Sequence, residues 1–462
     1  MSIADISGAD GSGAGSSGRA RPDACPGALQ VHEAADGPLA RVRLPGGAIS
    51  PAQLRELAAC AEELGGGVIE LTSRANVQVR ALRSPAAFAG RIAAAGLLPS
   101  AAHERVRNIV ASPLGGRGPA GLLDPAPLVA ALDRALCALP RLAGLPGRFL
   151  FAVDDGTGDM PGLGADVTFV PSAPETPVAR PEGTAGGPGD GGAVGRLLLA
   201  GADAGIVVRA EVAVQVMVAA AAAFLDEREA TPGERAAWRI EELTDGPARI
   251  TARLTTADPT ADPTSGPPIS PGPSPPQHAG RIGQRDGRVA LEVVAPLGRL
   301  SAAQARALAT VASGTDGECA AQERAAGRVS DPATDVPVRL TPWRTVMFLD
   351  LSPEAAGRAE RTLAEAGLVT DPASPWVGVS ACTGRPGCAK ARADVQQDAR
   401  RWVAELDGPA PDPVHWAGCE RRCGLPRGRV VQLTATGDGY RRTTTAGRDG
   451  GQHPIATQER LQ

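Results

Sequence analysis

Residues 41–82 read RVRLPGGAISPAQLRELAACAEELGGGVIELTSRANVQVRAL, and residues 291–312 read LEVVAPLGRLSAAQARALATVA. Each begins with a run of strand-forming residues, passes a Gly-containing turn and enters an Ala/Leu-rich segment opened by Ser50 or Ser301. In the first segment Leu54, Leu57, Ala58 and Ala61 recur at helical spacing, and in the second Ala303, Ala307, Leu308 and Val311 make a similar stripe. The first copy continues into a strand ending in Thr72-Ser73-Arg74. The second resumes, after a polar insert, in VPVRLTPWRTVMFLDL (336–351), with Thr341 and Arg344 in the matching place. A unit of strand, turn, helix and strand written twice predicts two α+β half-domains related by a pseudo-twofold axis, with a cavity between them. A weaker echo follows each copy: RNIVASPLGG (107–116) and VGVSACTGRPG (377–387) share a pattern, but only the second carries cysteine.

Outside these blocks the chain is low in apolar periodicity. Residues 1–24 are Gly/Ser-rich, 171–194 and 257–280 are Pro/Gly-rich, and the tail after about Tyr440 is polar. With 462 residues, a net charge of −4 and 3% aromatics, the composition offers neither a basic field nor stacking platforms for nucleic acid. The first 20 residues hold acids and no apolar run, unlike an export signal. The longest apolar stretch, Val212 to Leu225, is 14 residues long, which suits a buried helix and is too short for a membrane span. A soluble cytoplasmic protein is expected.

The chemistry-bearing residues lie near the C-terminus. Of eight cysteines, four form two tight pairs: Cys382 and Cys388 in SACTGRPGCAKA, then Cys419 and Cys423 in HWAGCERRCGLP. Glycines beside them let the backbone turn tightly enough for thiolates to converge. Four convergent thiolates suit a [4Fe–4S] cluster; structural zinc prefers pairs two to four residues apart, and disulfides need an oxidising compartment. Val395, Ala399, Trp402, Val403 and Leu406 mark a helical face over 389–406, so a helix is expected to begin directly after Cys388 with its positive end beside the thiolates. Arg74, Asn76, Gln78 and Arg80 alternate along an expected strand, which would put all four on one polar face suited to carboxylates.

The paired cysteines and the duplicated halves resemble the sulfite/nitrite reductase superfamily over about residues 28–435. The resemblance implies an α+β fold with pseudo-twofold duplicated ferredoxin-like half-domains and two sulfite/nitrite-reductase-type α/β cluster/tetrapyrrole domains. It also implies a disordered leader (1–24), a first half-domain (25–98) and a first reductase-type domain without cluster cysteines (99–256, flexible insertion 171–194). A Pro-rich linker (257–286), a second half-domain (287–352), the cluster domain (353–440) and a flexible tail (441–462) complete it. In that family the two cysteine pairs hold a [4Fe–4S] cluster, which assigns Cys382, Cys388, Cys419 and Cys423 as ligands.

Within the superfamily, RVRLPGGAIS, IELTSRANVQVRAL, RNIVASPLGG, LPGRFLFAVDDGTGD, PLGRLS, RLTPWR and ACTGRPGCAKARADV are most similar to the precorrin-3B synthase family. This implies an oxygen-dependent monooxygenase that hydroxylates precorrin-3A at C20 with γ-lactone formation, using a mononuclear non-haem iron beside the cluster. Arg74, Asn76, Gln78, Arg80, Arg107, Asn108, Arg148 and Arg344 then become candidate contacts for the eight carboxylates of the tetrapyrrole. The alternative is a sirohaem-dependent sulfite or nitrite reductase. Those enzymes place two lysines, spaced K-x-K, after a Leu-Pro step, where this chain has Arg148 and Leu150. An arginine binds anions but donates protons poorly. A third reading is an iron–sulfur electron carrier without catalysis. For the mononuclear iron, Asp154, Asp155, Asp159 and His415 are the residues within reach of consideration, and none is assigned. No strand is followed by GxGxxG, so electrons are expected from a separate ferredoxin or NAD(P)H-dependent reductase.

Overall fold

A computed structural model describes residues 25–172, 193–231, 236–257, 279–314, 335–445 and 460–461. The leader and much of the two expected linkers and tail lie outside the described residues.

Both repeat helices start on the same local device. Ser50 accepts a hydrogen bond from Gln53 N, and the Gln53 side chain accepts one from Ser50 N (3.0 Å), opening helix Pro51–Leu64. Ser301 and Gln304 repeat this at helix Ala302–Ala312. Such reciprocal caps satisfy donors that the first helical turn would leave bare. In the first helix Leu54, Leu57, Ala58 and Ala61 are buried as expected. The second differs: its buried face is Ala302, Ala305, Leu308, Ala309 and Ala312, while Ala303 is exposed. A helix so rich in alanine carries little apolar contrast, so periodicity alone misplaces its stripe.

The turns before the helices match residue for residue. Gly46 and Leu297 are left-handed (φ 62° and 59°), as are Gly47 and Gly298 (φ 69° and 68°). At Gly47 a Cβ would lie 1.9 Å from Leu340 O, so no other residue fits. The later hairpins match as well, since Ile69 pairs with Val79 and Val338 with Phe348. Ala75 and Arg344 are both left-handed (φ 56° and 64°), and each N–H bonds back to Thr72 O or Thr341 O. Arg344 is therefore the counterpart of Ala75, not of Arg74, whose place Trp343 takes.

The two half-domains exchange strands. One sheet runs His32–Ala34, Gly37–Val42, Val77–Val79, Val68–Leu71 and then Arg299–Ser301 from the second copy. The other runs Gly280–Gly283, Val289–Val294, Thr345–Leu351, Val338–Leu340 and then Ala48–Ile49 from the first. The helices of both copies pack together, and one apolar core joins residues of both halves.

Two further five-stranded sheets share one topology. Ile109–Ala111, Phe151–Val153 and Val167–Ser172 run parallel, and Val194–Leu199 and Ala202–Arg209 add antiparallel strands. Likewise Val379–Ala381, Val414–Ala417 and Val430–Ala435 run parallel before Tyr440–Thr445 and Arg460–Leu461. Ser112 follows the first strand of one sheet as Cys382 follows the first strand of the other. The apolar stretch around Val212 forms helix Ala210–Ala230, whose Ala213, Met217, Phe224 and Leu225 are buried. No helix among the described residues is long and apolar enough to cross a membrane.

Candidate functional site

The carboxyl ends of parallel strands are where loops of an open α/β sheet converge on ligands. Cys382 lies one residue past Val379–Ala381, and Cys419 two residues past Val414–Ala417. The two loops bond to each other: Gly418 N donates to Cys382 Sγ (3.1 Å) and Arg392 N to Gly418 O (2.8 Å). A Cβ at Gly418 would come within 2.7 Å of Ala391 Cβ, so the close approach requires glycine. Cys388 N bonds to Gly384 O, which turns the first loop back and brings its second thiol round. Helix Val395–Val403 begins only after a further turn, capped by Asp394, which accepts from Gln397 N. The expected helix start directly after Cys388 is thus displaced by several residues, while the first turn of the helix still meets the cysteine loop, Gln396 Nε2 donating to Cys382 O (3.4 Å).

All four thiols line one cavity of about 710 Å³ between the cluster loops and the first half-domain sheet. Burial pushes the Cys382 and Cys423 thiols up, and neighbouring cysteines raise each further: Cys423 and Cys388 around the first, Cys419 and Cys388 around the second. Sulfurs that repel one another in their anionic forms are a set that a cation would bind by displacing the protons. This donor set fits an iron–sulfur cluster.

The opposite wall is polar. Gln78 Oε1 accepts from Arg41 Nε (3.0 Å), Gln78 Nε2 donates to Glu70 (3.2 Å), and Arg299 donates to the other Glu70 oxygen (2.8 Å). Arg80 forks onto both oxygens of Asp36 (2.9 and 2.8 Å) and reaches Gly387 O on the cysteine loop (2.7 Å). Arg344 donates to Gly424 O, beside Cys423, and burial lowers its pKa to about 10.

Of the eight candidate ligand contacts, Gln78, Arg80 and Arg344 line this cavity. The other five do not. The expected strand of four alternating side chains is shortened to Val77–Val79, because left-handed Ala75 turns the chain before it. Asn76 consequently points inward, accepting from Leu44 N (2.8 Å) and donating to Asn108 (3.2 Å). Asn108 in turn donates to Arg105 O and Gly147 O, and Arg74 also bonds Gly147 O. Arg107 is buried in a bidentate pair with Asp133 (2.6 and 2.7 Å). Arg148 is exposed, its guanidinium 5.7 Å from the ring of Trp238, a residue of the cavity wall. Leu150 belongs to the apolar core. Sequence reasoning missed Arg41, Glu70 and Arg299, and the repeat gives no signal for them, since Arg41 aligns with Glu292 and Arg299 with Ala48.

None of the iron candidates lines the cysteine cavity, although His415 packs against the Cys423–Gly424 turn. Asp154 accepts from Gly156, Gly158 and Met160 N–H groups, and Asp155 from Gly116 N and from Thr157 through both its N–H and its hydroxyl, so three of the roughly four acceptor sites of each serve the loop. Asp154 and Asp155 are fully buried, not a solvated turn. Burial and then the neighbouring carboxylates of Asp154 and Asp155 push the Asp159 carboxyl well above the usual range, against the opposing hydrogen bond from Ser112. His415 is buried with Nδ1 on Ser380 Oγ (2.9 Å), and burial first, then Arg344, pushes its pKa down to about 3, so the ring is neutral. Among the described residues the convergent carboxylates are Asp154, Asp155 and Asp159, and most acceptor sites of the first two already serve the loop.

A nitrite/sulfite reductase ferredoxin-like half-domain model matches residues 32–85 and 282–366, the two exchanged units. The chain is 28% identical to a precorrin-3B synthase of Sinorhizobium sp over 433 residues, covering 92% of this chain and 83% of that protein. It is also 28% identical to a ferredoxin–nitrite reductase of Synechococcus elongatus over 417 residues, 84% and 74% of the two. The fold matches the structure of the Mycobacterium tuberculosis NirA protein with a TM-score of 0.68 and 22% identity, over 92% of this chain and 77% of that one. With its ferredoxin-like half-domain present twice and its strands exchanged around one core, this chain is similar in sequence and fold to the sulfite and nitrite reductases and to precorrin-3B synthase.

Proposed function

We propose that the chain is a precorrin-3B synthase: an oxygen-dependent monooxygenase that hydroxylates precorrin-3A at C20 and closes a γ-lactone from a ring acetate. One oxygen atom enters the substrate, and the other leaves as water with two electrons and two protons from a separate donor, a ferredoxin or an NAD(P)H-dependent reductase. Cys382, Cys388, Cys419 and Cys423 hold a [4Fe–4S] cluster, which supplies electrons singly at the cavity. The chain's residues bind and orient: Arg80 ties the cysteine loop to the half-domain, Glu70 and Gln78 fix Arg41 and Arg299, and Trp238 forms an apolar wall.

The observation that carries this reading against a nitrite or sulfite reductase is at the Leu145–Leu150 step. Arg148 is exposed over Trp238 and Leu150 is buried in the core, so neither position offers the cavity an ammonium proton donor. The coverage of the precorrin-3B synthase relative, 83% of its length, supports the same choice. The test is the anaerobically isolated protein. A cluster absorption without sirohaem bands, and oxygen-dependent conversion of precorrin-3A to a product one oxygen heavier, are the expected results. Sirohaem bands with sulfite- or nitrite-dependent turnover would overturn the proposal, and a cluster without precorrin-3A turnover would leave an electron carrier.

A further inference from the structure

The cavity's cations divide into two groups. Those of the two half-domains are already engaged: Arg41 by Gln78, Arg80 by Asp36 and Gly387 O, Arg299 by Glu70, and Arg344, in a turn of the second half-domain, by Gly424 O. Those on the cysteine loops are not. Lys390 and Arg421 line the same cavity, both side chains are exposed, and neither forms a hydrogen bond or an ion pair with any described residue. Their backbones are nonetheless fixed. Ala391 N bonds to Cys388 O across Lys390, Arg392 N two residues on bonds to Gly418 O, and Arg422 N bonds to Cys419 O across Arg421. Arg421 bears electrostatically on the Cys423 thiol, but no carboxylate of the described residues holds either cation, so both suit an anion brought into the 710 Å³ cavity by the ligand. Lys390 is also the sole lysine of a chain with 47 basic residues.

We propose that Lys390 and Arg421 are the carboxylate clamp of this cavity, and that the arginines of the sheet shape the wall without gripping the ligand. The clamp rests on the tetrapyrrole reading above, and moves the anion contacts from the half-domain strand to the cysteine loops. An arginine held by Asp36 or Glu70 would have to surrender a charge-assisted bond to take a ligand carboxylate, whereas Lys390 and Arg421 surrender only water. Clamp residues adjoining the thiols would also set the ligand against the electron source.

The test uses the full chain isolated anaerobically, with uroporphyrin III, an octacarboxylate, as the probe, read by fluorescence quenching. K390Q and R421Q are each expected to raise the Kd about fivefold, and the double variant about thirtyfold at low salt. The differences should shrink at high salt, and K390R should return to within about twofold of the parent. Amine-selective labelling reads Lys390 alone among side chains, and bound uroporphyrin should slow it about tenfold. Both side chains are exposed, so thermal midpoints should not move. A double variant that binds within twofold of the parent, or labelling unaffected by saturating uroporphyrin, would overturn the clamp and leave the tetrapyrrole reading standing. No saturable binding by the parent would bring down both.

Discussion

Asn76→Ala separates a structural amide from a ligand contact. Asn76 Oδ1 is the acceptor for Leu44 N (2.8 Å), and Asn76 Nδ2 is a donor to Asn108 Oδ1 (3.2 Å). Leu44, Asn76 and Asn108 are at most 1% exposed, so water cannot replace either partner. The substitution strands one buried N–H and weakens one buried amide oxygen, each costing about 1–3 kcal/mol. The sum is about 3–4 kcal/mol, which lowers the thermal midpoint by about 10 °C for a domain of this size. A dye-monitored melt and a uroporphyrin titration on the same sample make the assay. The expected result is a large fall in midpoint with affinity unchanged at temperatures where the variant is folded. A midpoint within about 2 °C of the parent, or a tenfold loss of affinity with the midpoint intact, would refute the placement of Asn76 in the scaffold.

Two other predictions follow from buried groups. Glu292 is held by Thr345 Oγ1, and burial raises its pKa to about 7, above the usual carboxylate range. The folded state therefore binds this proton more tightly than the unfolded chain, and the stability it contributes is full near pH 4 and lost as pH rises towards 7. Glu292→Gln should flatten urea stability across that window and gain relative to the parent at neutral pH; a parallel offset with no change in slope would contradict the placement. Cys382→Ser or Cys423→Ser should abolish bound iron and acid-labile sulfide, while Cys60→Ser, on the buried face of helix Pro51–Leu64 where burial pushes its thiol pKa up to about 12, should retain both. Metal analysis of the purified variants decides it, and full iron in Cys382→Ser would remove that cysteine from the ligand set.

What the sequence made legible was mostly local and periodic. The matching Gly46-Gly47 and Leu297-Gly298 turns, the Ser-capped helices and the cysteine pairs can all be read from spacing, because each depends on a few neighbouring residues. The polar strand could not be read in the same way. Whether Arg74, Asn76, Gln78 and Arg80 share a face turns on the sign of φ at Ala75, an alanine that nothing in its identity marks as left-handed. The tying of Arg107 to Asp133, 26 residues on, and of Arg80 to Asp36 likewise depends on pairings that only the tertiary fold brings together. The exchange of short strands between the halves left no periodic trace, since Ala48–Ile49 is two residues long.

That exchange has a consequence for how the polypeptide is made. The edge of Val68–Leu71 is completed only by Arg299–Ser301, more than 220 residues later, so during synthesis the first half waits with open backbone donors and acceptors. Closing so long a loop is slow and leaves a nascent sticky edge exposed to other chains at the ribosome. Truncation after the first half should therefore give insoluble product, and chaperone supply during expression becomes the practical determinant of yield.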